Sequence, residues 1–438
     1  MMHFHIVSSR IGPYLLRHTQ RWNCSSPLSY RTFQLVSINP LGSQRSPNLL
    51  IQRFKATATA PKKKGNTPKE KIESRKTDTT AKGTKTPKDK KGHQSTGYDI
   101  ATSGWERAVA YWLLVMSIGA YVRLNESGLS MLDWRLLGVQ LPKDDEEWHR
   151  EFKRYKATPE YKKVHYGISL EDYKKIYLNE WIHRMMGRFS GLFFGGGALY
   201  LAVRGALAPG GYILTLGVLS LGLSQAFVGK WMVDSGFKEP DSDKAPPRVS
   251  PYRLSMHFAN ALGIYSICLW NGIKLLSHEA RSSLVQSTEL AKVRCCGKAT
   301  LTSLFLTILY GTIVSGNDAG LAYNTWPKMM DSYIPDDYKE VSSVKDMFEK
   351  TGVIQFNHRC LGYLTTTFAA LTFMAARDPA VPVVARKLAM GTLHASLLQV
   401  ALGIITVLKQ VPLHGAMTHH VNALAVWSVL VALLARTK

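Results

Sequence analysis

Eight stretches of this 438-residue chain are apolar for long enough to cross a lipid bilayer, which takes about 20 residues as a helix. They run over about 106–124, 183–203, 212–233, 254–276, 299–316, 353–376, 388–408 and 417–435. Hydrocarbon offers the backbone no hydrogen-bonding partner, so each stretch has to satisfy its own peptide groups as an α-helix. The predicted fold class is therefore an all-α integral membrane protein. Glycines punctuate several stretches, as at Gly191 with Gly195–Gly197 and Gly217 with Gly222, and membrane helices use such residues for close packing.

The N-terminal hundred residues are of another kind. Residues 1–69 hold 11 Lys/Arg and neither Asp nor Glu. Such a basic, acid-free, Ser-containing start reads as a mitochondrial transit peptide over residues 1–55. The Lys/Thr-rich tract over 56–100 lacks apolar surface to bury and reads as a disordered linker. No nucleic-acid module accompanies this charge, so nucleic acid is not an expected partner. The five cysteines are scattered without a CxxC, which argues against a zinc site or a disulfide framework.

Basic residues in the short loops set the orientation. Arg204, Arg281, Lys292, Arg294, Lys298, Arg377, Arg386, Lys387, Arg436 and Lys438 all fall on one side, the side of the basic N-terminus. By the positive-inside rule this is the matrix, and both termini lie there. The loops 125–179, 234–253 and 317–352 then face the intermembrane space.

The chain also repeats itself. Asn125-Glu-Ser-Gly-Leu-Ser-Met-Leu-Asp-Trp134 matches Asn317-Asp-Ala-Gly-Leu-Ala-Tyr-Asn-Thr-Trp326 at an offset of 192. Four helices per copy is an even number, so the copies enter the membrane from the same side as a parallel repeat. The expectation is two pseudo-symmetric four-helix bundles, over 101–276 and 299–438, joined by a matrix linker at 277–298.

Four histidines follow the repeat. Glu180-Trp-Ile-His183-Arg184 matches Gln355-Phe-Asn-His358-Arg359, and His257-Phe-Ala-Asn260 matches His419-His-Val-Asn422. Each histidine sits where an even-numbered span begins, near the intermembrane-space face. Two imidazoles per bundle point to two bis-histidine metal sites, with haem as the natural occupant. The competing reading, interfacial histidines satisfied by loops, does not explain four in a duplicated pattern. His419 is preferred to its neighbour His420 because Asn422 aligns with Asn260. His149, His165, His278, His394 and His414 lack a counterpart and read as surface or packing residues.

Glu180 against Gln355 is the one mismatch, and it suggests that a single copy performs chemistry. A carboxylate beside a haem edge can transfer protons or stabilise charge. Its ordinary alternative is an acid favoured by a helix N-terminus. Arg184 and Arg359 suit haem propionates, since a guanidinium fork matches a carboxylate, or they snorkel to the interface. The 125–134 and 317–326 segments read either as lids over the two pockets or as turns.

These motifs, with Gln225-Ala-Phe-Val-Gly-Lys-Trp-Met-Val-Asp-Ser-Gly236 and Val249-Ser-Pro-Tyr-Arg253, resemble the eukaryotic, mitochondrial haem A synthase family over about residues 104–436. The resemblance implies oxidation of a methyl group of haem O to a formyl group through successive hydroxylations with dioxygen, giving haem A for cytochrome c oxidase. It implies His183 and His257 on the iron of the substrate haem O, His358 and His419 on a resident haem B, and Glu180 as the catalytic carboxylate. It also implies haem O supplied by a haem O synthase, electrons from a ferredoxin and its reductase, and residence in inner-membrane lipid; a homo-oligomer is left open. The outer loop lacks the cysteine pair of some bacterial members, and Lys230 stands where an aromatic residue is expected. A six-coordinate iron has no free position for dioxygen, so either a histidine leaves or the iron only relays electrons. The alternatives are a dihaem electron-transfer protein of cytochrome b type, which leaves the Glu180/Gln355 mismatch unexplained, and a transporter or assembly chaperone for metal or haem.

Overall fold

The computed structural model describes residues 95–205, 207, 209–239, 246–276 and 288–437, with side chains from Arg107. The transit segment, nearly all of the 56–100 linker and residues 277–287 lie outside the described residues. What is described is helical, with a lone bridge between Met329 and Ser332.

Eight long helices dominate: α1 (Ser95–Leu124), α4 (Leu170–Val203), α5 (Pro209–Gly236), α6 (Pro251–Leu276), α7 (Thr288–Gly316), α9 (Thr351–Ala376), α10 (Val383–Leu408) and α11 (Leu413–Thr437). Three short ones lie between them, α2 (Asp145–Lys156), α3 (Pro159–Lys163) and α8 (Asp346–Glu349). Among the described residues, five segments are long and apolar enough to cross a membrane by length and composition: Arg107–Leu124, Gly210–Gly236, Thr288–Gly316, Val383–Leu408 and Leu413–Thr437. The protein is thus a multi-pass membrane protein. Helices α4, α6 and α9 are as long but carry much of the polar machinery described below.

Three helices begin well before their apolar stretches. Residues 95–100, read as linker, belong to α1, and residues 288–298, read as matrix loop, are the first turns of α7. Apolarity marks only the part of a helix that meets lipid, so polar extensions leave no mark in it. Helix α4 is the largest case. Ser169 caps it by accepting from the Asp172 N–H at 3.1 Å, and thirteen residues precede His183. That extension buries Tyr173, Ile176 and Tyr177 against Phe152 and Tyr155 of α2 and against Met131. Fully burying each such side chain is worth roughly 1.5–3 kcal/mol, which anchors the loop after α1 to α4.

In lipid, helices gain little from apolar contact, and small residues and hydroxyls do the joining. Between α7 and α9, Thr300 bonds Thr372 at 2.9 Å, and Thr365 bonds both Ser303 and Thr307 at 2.8 Å. Helices α6 and α11 meet in the main buried apolar cluster. There Tyr265 meets Ser428 at 2.6 Å, and the Trp427 indole donates to Ser266 at 2.8 Å. Arg123 at the end of α1 reaches Asp318, beyond α7, at 2.9 Å.

Candidate haem sites

Each of the four repeated histidines is seated against a glycine of a neighbouring helix. A Cβ on Gly119 of α1 would lie 2.7 Å from His183 Cε1, and one on Gly311 of α7 would lie 3.0 Å from His358 Cε1. The same holds at 2.9 Å for Gly229 against His257 and for Gly403 against His419. The residue four positions before each glycine completes the socket. The His183, His257, His358 and His419 rings lie against the backbones of Val115, Gln225, Thr307 and Gln399 respectively. Only glycine lets an imidazole approach a helix so closely.

The second histidine of each pair has further support. Gln225 Nε2 is 3.1 Å from His257 Nε2, and Gln399 Nε2 is 3.2 Å from His419 Nε2. Asn260 holds Gln225 by donating to its Oε1 at 2.8 Å, and Asn422 does the same for Gln399 at 2.7 Å. His358 and His419 face one another with ring centres 6.5 Å apart and planes at 77°. His257 lies within charge–charge range of His183. His420 turns elsewhere, edge-on to Phe258 of α6 at 5.6 Å.

The Nδ1 atoms of all four repeated histidines are buried without a hydrogen-bond partner. Each ring has a backbone neighbour behind it, and four buried imidazoles in two matched pairs are a donor set suited to a metal. No group of three or more His, Cys, Asp or Glu able to hold a metal ion occurs among the described residues. Pairs of imidazoles therefore suit a metal that brings its remaining ligands with it, as haem iron does. Metal–imidazole bonds of about 2 Å set the centres of two rings on opposite sides of one ion roughly 6 Å apart, close to the His358–His419 separation.

Glu180 lies one turn before His183 and is 2% exposed. Its Oε2 accepts from Ser130 Oγ at 2.7 Å and from the Met131 N–H at 2.8 Å, and its Oε1 is paired with Arg184. Arg184 also donates to the carbonyls of Asp133 and Met131 at 2.9 and 3.1 Å and covers the Trp134 ring. The other copy reproduces this scaffold with reversed polarity. Arg359 donates at 3.0 Å to the carbonyls of Tyr323 and Thr325, the counterparts of Met131 and Asp133, and at 2.7 Å to Gln355 Oε1. Gln355 turns its amide N–H groups to the carbonyls of Ala319 and Ala322. Ser130 thus supplies a donor to the carboxylate where Ala322 supplies none to the amide.

The structure brings together all seven residues singled out in the sequence, Glu180, His183, Arg184, His257, His358, Arg359 and His419, in two sets. The 125–134 and 317–326 segments fold over these sets, and their carbonyls hold the arginines. Arg359 keeps a buried, unpartnered Nη1. Lys230 pairs with Asp234 one turn on at 2.6 Å, and both are about half exposed. Cys268, Cys295, Cys296 and Cys360 are free thiols. The glycine sockets were not among the residues read from the sequence. Gly119 and Gly311 do stand at the repeat offset of 192, which is a signal able to find them.

The family described as cytochrome oxidase assembly protein, COX15-CtaA, matches residues 107–431. The chain is similar to Heme A synthase COX15 of Arabidopsis thaliana, 37% identical over 334 residues, covering 75% of this chain and 73% of that one. It is similar to Heme A synthase COX15 of Homo sapiens, 37% identical over 330 residues, covering 73% and 80%. It is similar to Heme A synthase of Paracoccus denitrificans, 34% identical over 354 residues, covering 76% and 88%. With the match spanning most of its length and every repeated motif, the chain belongs to the COX15-CtaA family of haem A synthases.

Proposed function

We propose that the protein is an oxidoreductase that converts a methyl group of haem O to the formyl group of haem A, for use in cytochrome c oxidase. The observation that carries this is a pair of matched histidine sites of which one alone has a buried carboxylate, Glu180, where the other has Gln355. His183 and His257 hold the substrate haem O, and His358 and His419 hold a resident haem B. The 6.5 Å spacing to His358 favours His419 over His420. When bound, haem B supplies a one-electron couple beside the substrate half. Glu180 presents a fixed negative charge there, held in place by Ser130, the Met131 N–H and Arg184.

The matched sockets support two four-helix halves, α1-α4-α5-α6 and α7-α9-α10-α11, as a parallel repeat of eight membrane spans. Loop charge supports both termini in the matrix and the histidines near the intermembrane-space face of the mitochondrial inner membrane. A haem O synthase delivers the substrate, and a ferredoxin with its reductase supplies electrons from the matrix side. The test is chromatography of haems extracted from membranes in which the protein is expressed with a haem O synthase, ferredoxin and ferredoxin reductase. Haem A or its hydroxylated precursor is the expected product; haem B and unreacted haem O alone would overturn the reading.

The sockets give a second expectation. Gly403→Ala sets a methyl 2.9 Å from His419 Cε1, while Gly391→Ala, on the same helix, meets Val429 at an ordinary 3.6 Å. Overpacking costs roughly 1–3 kcal/mol, so Gly403→Ala weakens haem retention in the second half about 5- to 150-fold, and Gly391→Ala leaves it unchanged. Haem-to-protein ratio after detergent washing measures both. Equal retention would show that the ring does not need the socket.

A further inference from the structure

A second carboxyl group is buried in the half that carries Glu180. Glu160, on α3, is 5% exposed. Its Oε2 accepts from the Tyr155 hydroxyl of α2 at 3.1 Å. The Tyr155 oxygen lies 2.7 Å from His165 Nδ1. His165 Nε2 in turn faces the Glu126 carboxylate at 3.9 Å, and the Glu126 side chain is 57% exposed. A row of exchangeable groups thus leads from the outer surface to a buried carboxyl.

The inner end of the row reaches the site by charge and by packing. Glu180 acts on Glu160 and on Tyr155 electrostatically. Tyr155 stacks on Tyr173 with ring centres 4.8 Å apart, and the Tyr173 hydroxyl donates at 3.3 Å to the carbonyl of Ser130, the residue whose side chain holds Glu180. The charged groups facing Glu160 are Glu180 of α4, Glu126 of the loop after α1, and Arg123 of α1. Burial, and next the Glu180 charge, push the Glu160 carboxyl up to about 8. In the other half the loop carboxylate of Asp337 accepts from the Gly352 N–H at 2.7 Å and from the Tyr323 hydroxyl at 2.9 Å.

We propose that Glu160 is a proton-holding residue for the substrate half, exchanging its proton with the outer surface through Tyr155 and His165 beside the Glu180 carboxylate. The proposal rests on Glu180 being the working carboxylate. The inward step balances: His165 gives its Nδ1 proton to the Tyr155 oxygen, Tyr155 gives its own to Glu160, and His165 recovers one at Nε2 from solvent. A neutral imidazole carries this by exchanging one tautomer for the other. Glu180 is surrounded by donors and paired with Arg184, which suits a carboxylate held in one place, whereas Glu160 has the Tyr155 hydroxyl as its link to exchangeable protons. Two carboxyls held in different surroundings divide those roles.

Infrared titration of the purified full-length protein tests this. The wild type should display a protonated carboxyl band that disappears as pH rises through about 8. Glu160→Gln should remove the band. Glu180→Gln should move its midpoint to lower pH, because a neighbouring negative charge is gone. Tyr155→Phe keeps the ring stack, should move the midpoint up, and should slow hydrogen–deuterium exchange of the band. The folded protein keeps a proton that the unfolded chain releases above about 4.5, so the wild-type unfolding temperature should fall from pH 4.5 towards 8. Glu160→Gln should lose that slope, and its haem A formation should drop at least roughly tenfold. A band that persists in Glu160→Gln, or that ignores Glu180→Gln, would overturn the proposal. Absence of haem A in the wild type would instead sink the synthase reading while leaving the band and its response intact.

Discussion

Glu180→Gln should reduce haem A formation by roughly 10²–10³-fold, the cost of removing one preorganised electrostatic group, while the protein still folds and keeps haem in its second half. The chain itself argues that the fold survives. Gln355 occupies the equivalent place, is likewise 2% exposed, and is held by the equivalent arginine through Oε1. An amide at position 180 can keep the Arg184 contact through its oxygen, and the Ser130 hydroxyl can turn to accept from its nitrogen. The Met131 N–H alone loses its acceptor, at about 1–3 kcal/mol. The unfolding temperature should therefore fall modestly and the haem spectrum of the second half should remain. The ratio of haem A to haem O by chromatography is the readout, and wild-type turnover would remove Glu180 from the mechanism. The reverse exchange should be the more damaging to stability. In Gln355→Glu a carboxylate would face the carbonyls of Ala319 and Ala322 with no donor between them.

This asymmetry explains which parts of the site were legible in the sequence. The repeat exposed His183, His257, His358 and His419 because matching positions differ little in kind, and it exposed Glu180 because that position differs. What makes the difference functional is the pairing of Ser130 with Glu180, and Ser130 lies fifty residues away in a segment readable only as a lid or a turn. The glycine sockets were hidden for a related reason. The contact between Gly229 and His257 is made through space between α5 and α6, and a glycine in an apolar stretch has many other uses. Residue 165 was read as a surface or packing histidine, since no counterpart of it exists in the second copy. Its role depends on Tyr155 and Glu160, which the aromatic packing of the outer loop on the extended first turns of α4 brings to it. Helix limits failed at α1, α4 and α7 because hydropathy follows the lipid boundary and caps such as Ser169 follow the helix.

His358→Ala and His419→Ala should each strip the resident haem almost completely, whereas His420→Ala should retain it. His419 shares its space with His358 and is braced by Gln399 and Asn422, while His420 packs on Phe258. Removing an imidazole leaves Gln399 without its nitrogen partner and opens a void, so loss of haem alone would not separate ligation from damage to the fold. Added imidazole separates them. If His419→Ala leaves a vacant but intact site, free imidazole should enter the void beside Gly403, where only hydrogen stands in its way, and restore much of the haem absorbance. His183→Ala and His257→Ala should show the opposite pattern, with the second-half haem kept and haem A formation lost, because their sockets at Gly119 and Gly229 belong to the other set. Full haem retention in both His358→Ala and His419→Ala would refute the ligand pair. Loss of haem in His420→Ala, rescued by imidazole, would transfer the role to that residue and require α11 to turn by about 100° between the described state and the loaded one. Asn422 and Gln399 could not then keep their present bonds, so the two histidines can be told apart without any measurement of turnover.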